Sequence, residues 1–218
     1  MNRDRQAVLA ELQSTGLVAV IRADSGDQLV DICRALLAGG VTACEITMTT
    51  PNAIEAIGQA TDALGDECVI GVGTALDAET ARAAILAGAE FVVSPSLDLA
   101  TIEMAHRYDR PIIPGALTPT EVMTAWSAGA DIVKIFPANH FGPRYFKDLR
   151  GPLPQVKLTP TGGVDLTTAA SWIEAGAVCL GVGSALVKKE FIRNADWAAL
   201  TDLAGQYVEV VRDARAAQ

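Results

Sequence analysis

The chain has 218 residues, half of them hydrophobic and a fifth charged, which is enough for one sizeable core and short for two, so one domain over residues 1–218 is expected. A formal net charge of −9 works against binding a nucleic acid, whose phosphates select a basic face, and an anionic substrate would need local positive charge. No apolar run approaches the roughly 20 residues of a membrane helix, so neither nucleic acid nor membrane is an expected partner.

The opening residues, MNRDRQAVLAELQSTG, read as an amphipathic helix ended by Gly16 and lack the apolar core of a signal peptide, which points to the cytoplasm. Short β-rich apolar runs then alternate with longer Ala/Leu-rich helical patterns. The predicted strands are LVAVIR (17–22), ACEIT (43–47), CVIGVGT (68–74), FVVSP (91–95), PIIPGAL (111–117), DIVKIFP (131–137), VKLTPTG (156–162) and VCLGVGS (178–184). Eight βα units at this spacing predict an α/β fold, a (β/α)8 TIM barrel with an extra N-terminal helix, because a doubly wound open sheet usually has fewer strands. Four helices end in a common small-residue turn, AGGV (38–41), AGAE (87–90), AGAD (128–131) and AGAV (175–178), each before an even-numbered strand. This repeat hints at two-strand building blocks. Cys33, Cys44, Cys68 and Cys179 fall inside apolar patterns without C-x-x-C spacing and read as buried thiols. Trp126, Trp172 and Trp197 lie in helical patterns and read as core or interface residues, and the acidic, Ala-rich C-terminal helix reads as packing.

Glu45 and Lys134 each lie five residues past the glycine of their turn (45 − 40 and 134 − 129). Their strands, the second and the sixth, stand on opposite sides of an eight-stranded barrel, so equal offsets point both side chains into the interior near the C-terminal mouth, where barrel enzymes place their chemistry. A buried ammonium must be paired or give up its proton. A neutral amine attacks carbonyls, and the resulting imine is an electron sink, with a neighbouring carboxylate as proton shuttle. From the pattern alone, a structural Glu45–Lys134 ion pair, or an outward-facing Lys134 on a misread strand, remains open.

Arg22, Thr74, Ser94, Thr118 and Thr161 all fall at or just past predicted strand ends, and Thr118 has the position of a helix cap. TPTGG (159–163) and GVGS (181–184) end the last two strands, where many barrels hold a phosphate on backbone N–H groups. His106 and His140 are too few and too scattered for a histidine-rich zinc site, so no metal and no other cofactor is expected. His106 reads as a surface residue, and His140, just past the sixth strand, faces substrate or solvent.

The motifs VAVIRA, GGVTACEIT, GVGT, AGAEFVVSP, IPGALTPTE, KIFPA, TPTGGV and GVGSAL, in this order over residues 15 to 187, resemble those of the 2-keto-3-deoxy-6-phosphogluconate (KDPG) and 4-hydroxy-2-oxoglutarate (KHG) aldolase family. The resemblance implies a metal-free class I aldolase that cleaves KDPG to pyruvate and D-glyceraldehyde 3-phosphate, as a cytoplasmic homotrimer. It implies Lys134 as the imine-forming residue and Glu45 as the general acid/base. Arg22 and Thr74 would hold the pyruvyl carboxylate, Thr161 would lie near the reacting chain, and Pro95 and Phe136 would also contact substrate. Gly162, Gly163, Gly183 and Ser184 would cradle the phosphate.

The chain departs from the family pattern at EITMTT, where Thr49 stands in place of an arginine that many members carry. A threonine cannot form the bidentate carboxylate clamp of a guanidinium, so the choice among KDPG, its galactonate epimer and KHG stays open. A phosphosugar isomerase or synthase of similar barrel type would use the phosphate site without an imine. A silent phosphosugar-binding protein would have no need for the Glu45 and Lys134 pair.

Overall fold

A computed structural model describes residues 3–65 and 67–217. Its strands are β1 (Leu17–Ile21), β2 (Ala43–Thr47), β3 (Val69–Gly73), β4 (Phe91–Val93), β5 (Ile112–Ile113), β6 (Gly115–Ala116), β7 (Val133–Ile135), β8 (Leu158–Pro160) and β9 (Leu180–Val182). The helices are α1 (Arg5–Thr15), α2 (Leu29–Ala38), α3 (Ala53–Leu64), α4 (Ala78–Leu86), α5 (Leu99–Arg107), α6 (Pro119–Ser127), α7 (Gly142–Arg150), α8 (Ala169–Glu174), α9 (Lys189–Arg193) and α10 (Trp197–Ala216).

All strand pairs are parallel, in the orders β5-β4-β3-β2-β1-β9 and β6-β7-β8. The expected fifth strand, 111–117, is one stave in two pieces. Pro114 has no N–H to give to a ladder, so Ile112–Ile113 pairs with β4 while Gly115–Ala116 pairs with β7. Bridges Leu158↔Ala177 and Thr161↔Gly181 join β8 to the last stave. Among the described residues nine strand segments therefore form eight staves, the (β/α)8 barrel expected. Most other strands are shorter than their sequence patterns because the outer residues already turn into loops.

The turns explain this regularity. Gly40, Gly88, Gly129 and Gly176 have φ of +90°, +116°, +96° and +96°, a left-handed conformation in which a Cβ would be strained. Gly16 closes α1 in the same way, with φ +68°. Side chains cap the helix starts: Asp77 accepts from Thr80 N, Asp98 from Thr101 N, and Thr118 forms a capping box with Glu121.

Period-two alternation divides the core. Outward residues such as Ile21, Ile46, Val72 and Ile135 pack under the helices, together with Trp172, whose ring meets Phe146 edge-on at 5.0 Å. Trp126 and Trp197 are partly buried against this core, and all four cysteines are free and buried. Inward residues Val18, Ala43, Val69, Phe91, Val93, Ile113, Ile132 and Cys179 form a second cluster with Val8, Leu9 and Leu12 of α1. The leading helix thus plugs the N-terminal mouth. Asp131 anchors it there by accepting from Arg5 Nε at 2.9 Å and from Ile112 N at 3.0 Å. His106, expected on the surface, is instead half-buried with Nε2 3.5 Å from Asp131 Oδ2, because α5 runs back along the barrel and brings its last turn to that anchor.

Candidate active site

Glu45 and Lys134 point inward from β2 and β7 and are only 3% and 5% exposed. Backbone bonds lock both: Glu45 is in register with Val20 and Gly71, and Lys134 N donates to Pro114 O at 2.9 Å. Among the described residues no carboxylate lies within 4.0 Å of Lys134 Nζ, so the pair is not the structural salt bridge that the sequence left open. The ammonium end sits instead 5.2 Å from the centroid of the Phe136 ring. Burial pushes the Glu45 carboxyl above its ordinary pKa, and the charges of Lys134 and Arg22 partly oppose this. A carboxyl held above the ordinary carboxylate range keeps its proton more readily than an exposed one, which suits it to give a proton as well as take one.

Glycines make the room. The Glu45 carboxylate lies where a Cβ at Gly73 would be, the Phe91 ring fills the corresponding space at Gly71, and the Thr161 hydroxyl lies over Gly181. Thr161 is buried and hydrogen-bonded through its N–H to Ile135 O at 3.1 Å. It faces both a small interior cavity, shared with Glu45, Thr159 and Cys179, and the cleft above.

That cleft, about 390 Å³, is lined by Arg22, Phe136, Thr161, Gly162, Gly163, Gly183 and Ser184. Seven of the residues selected from sequence therefore share one wall, with Glu45 and Lys134 beneath it. Gly162 and Gly163 have φ of +91° and +72°, so their loop turns back over the mouth with its backbone exposed. Thr74 and Pro95 end β3 and β4 on the same mouth but do not line the cleft. Thr74 has φ +59°, rare for a β-branched residue and a form of strain that collects at functional sites. The Pro95 carbonyl packs where Gly115 has no side chain. Thr49 is exposed, its hydroxyl 2.8 Å from that of Thr47, which donates to Ile21 O. His140 is exposed in the 3-10 turn Ala138–His140.

Sequence reading missed four residues at this mouth. Asn139 packs against Gly163, Asp165 and Lys189 line the cleft, and Asp24 pairs with Lys189 at 3.2 Å. Only the spacing of TPTGGVD could have pointed to Asp165; the others arrive through loops whose course the sequence pattern does not encode. A wider hollow of about 600 Å³ opens at the other end of the barrel, by Glu90 and Arg110. It is remote from Lys134, and its Glu90 is engaged by Arg3 at 2.7 Å, so volume alone does not mark the site.

A parallel barrel with a buried carboxylate and amine under a glycine-lined cleft at its C-terminal mouth defines a barrel enzyme for a small anionic substrate. The chain belongs to the KDPG and KHG aldolase family, which matches residues 8–203. It is 36% identical, over 79% of its length and 84% of the relative's, to 2-dehydro-3-deoxy-6-phosphogalactonate aldolase of Escherichia coli K12. It is 34% identical to 2-dehydro-3-deoxy-phosphogluconate aldolase of Pseudomonas aeruginosa PAO1 over 88% of each chain. Among solved structures it is similar to KDPG aldolase from Legionella pneumophila with pyruvate captured at low pH as a covalent carbinolamine intermediate. That match has a TM-score of 0.83 and 30% identity and covers 90% of this chain and 96% of that one.

Proposed function

We propose that residues 1–218 act as one barrel domain, a class I aldolase that cleaves 2-dehydro-3-deoxy-6-phosphogluconate to pyruvate and D-glyceraldehyde 3-phosphate through an imine on Lys134. The observation that carries this reading is the burial of Lys134 beside Glu45 without a direct ion pair. The carbinolamine named for the Legionella relative is the addition product from which such an imine forms.

Lys134 Nζ adds to the C2 carbonyl, and Glu45 supplies the proton with which the C2 oxygen leaves as water. The protonated imine then draws the electrons of the C3–C4 bond as Glu45 accepts the C4 hydroxyl proton. That bond breaks, the aldehyde leaves, and the enamine takes a proton at C3. Water adds to the pyruvate imine and frees Lys134. Arg22 and Thr74 hold the pyruvyl carboxylate, Thr161, Pro95 and Phe136 enclose the reacting chain, and Gly162, Gly163, Gly183 and Ser184 present backbone and hydroxyl donors to the phosphate. The residues themselves supply the nucleophile and the acid/base, so the reaction as written needs no metal or cofactor.

A second reading, cleavage of the galactonate epimer, is favoured by the 36% identity to the phosphogalactonate aldolase, and Thr49 in place of the family arginine leaves the choice of epimer open. KHG is the third keto acid to compare. A homotrimer in the cytoplasm belongs to the same proposal; Leu76, in the loop after β3, and Leu99, at the start of α5, are 58% and 53% exposed and are apolar surface that subunit contact would cover. The test is release of pyruvate from each of the three keto acids, by wild type and Lys134→Met. Cleavage of a phosphorylated substrate by wild type alone is expected, the larger kcat/KM naming the epimer. No pyruvate from any of them would remove the aldolase reading.

A further inference from the structure

The glycine-lined cleft carries two charges to which the mechanism gives no task, Asp165 and Lys189, and Asp24 stands on its rim. Asp165 is a fixed negative charge. Its Oδ1 accepts from Thr167 N at 2.9 Å, Thr168 N at 3.0 Å and the Thr167 hydroxyl at 2.7 Å, and these bonds hold its carboxyl below the ordinary range. A carboxylate beside Gly162 and Gly163 opposes any dianion placed on their backbone. The cleft therefore needs a cation of its own.

Arg22 also lines the cleft but is assigned to the pyruvyl carboxylate, which leaves Lys189 as the cation for the phosphate end. It lines the same cleft as Gly162, Gly163, Gly183 and Ser184. With Arg22, Arg193 and Asp24 it also lines an adjoining hollow of about 100 Å³, so three cations stand close together on this side of the mouth. Lys189 Nζ lies 3.2 Å from Asp24 Oδ1, a bond between the first and last staves' loops, with the two side chains 68% and 80% exposed. So exposed a pair is held weakly. A phosphate carries more charge than one carboxylate and can draw the flexible lysine away from it.

We infer that Lys189 changes partners during binding, leaving Asp24 for the phosphate of the substrate, and that these two residues together set the preference for phosphorylated over unphosphorylated aldehydes. The inference rests on the aldolase reading for its substrate. Asp24 acts as a competitor for the lysine, so removing either residue should move the preference in opposite directions.

The experiment is aldol addition of pyruvate to D-glyceraldehyde 3-phosphate and to D-glyceraldehyde, with wild type, Lys189→Gln and Asp24→Asn. Lys189→Gln is expected to lower the ratio of the two kcat/KM values about tenfold, through KM for the phosphorylated aldehyde, and Asp24→Asn to raise it several-fold. Ratios that stay equal, or that move the same way in both variants, would overturn the inference. Calorimetric titration of the same three proteins with inorganic phosphate separates this outcome from failure of the aldolase reading. Weaker phosphate binding by Lys189→Gln in a protein without aldol activity would retain the partner exchange and remove the aldolase. Identical affinities would remove the partner exchange whatever the activity.

Discussion

The carboxylate of Glu45 occupies the space that a side chain at Gly73 would fill. The glycine of the third stave thereby fixes where the carboxylate of the second can stand, since β2 and β3 are held in register from Ala43↔Val69 to Thr47↔Gly73.

Gly73→Ala should displace that carboxylate. Because a positioned acid/base contributes roughly 10²–10⁴-fold to rate, kcat is expected to fall about 100-fold. Overpacking of this kind costs about 1–3 kcal/mol, readable by urea unfolding. Adding Glu45→Asp shortens the carboxylate and should restore stability while leaving kcat low. A Gly73→Ala enzyme with wild-type kcat would show that the position of Glu45 does not matter.

The pH dependence has a definite sign. Burial raises the Glu45 carboxyl above its unfolded value, so the folded protein holds that proton more tightly. Ionising Glu45 then costs stability, and the cost grows as pH rises from the ordinary carboxylate range through the folded pKa. Glu45→Gln should therefore stabilise the protein at neutral pH and lose that advantage in acid. For catalysis the acid limb of the kcat profile should lie above the usual carboxylate range. Arg22→Gln removes one of the charges that oppose the shift and should move the limb to higher pH. A limb that stays or moves down would contradict this electrostatic account.

Much of the site was legible because one rule, alternation along a parallel strand, places every second side chain inside a barrel. Glu45 and Lys134 could be placed in the interior by counting from Gly40 and Gly129, whose left-handed turns set the same start for both staves. The break at Pro114 was also written in the residues, but the alternating apolar run around it reads as one strand. Lys189 and Asp24 were not legible. Their meeting depends on closure of the barrel, which brings residues 165 apart to one rim, and no local period records that.

Thr74 offers a test of strain in the service of function. A left-handed conformation costs an L-residue roughly 1–2 kcal/mol, while glycine adopts it freely at an entropic cost of roughly 0.5–1 kcal/mol. Thr74→Gly should thus leave unfolding stability unchanged or raise it by up to about 1 kcal/mol, yet lower kcat/KM about tenfold by removing the hydroxyl proposed to hold the substrate carboxylate. A clear loss of stability, or unchanged kcat/KM, would mean that the conformation of Thr74 serves packing and not binding.

The most direct test of imine chemistry at Lys134 is intact mass after incubation with pyruvate and borohydride, for wild type and Lys134→Ala. The account predicts a stable adduct of one reduced pyruvate on wild type and none on the variant. A folded wild-type protein that gains no mass, or a variant that gains it equally, would contradict the account.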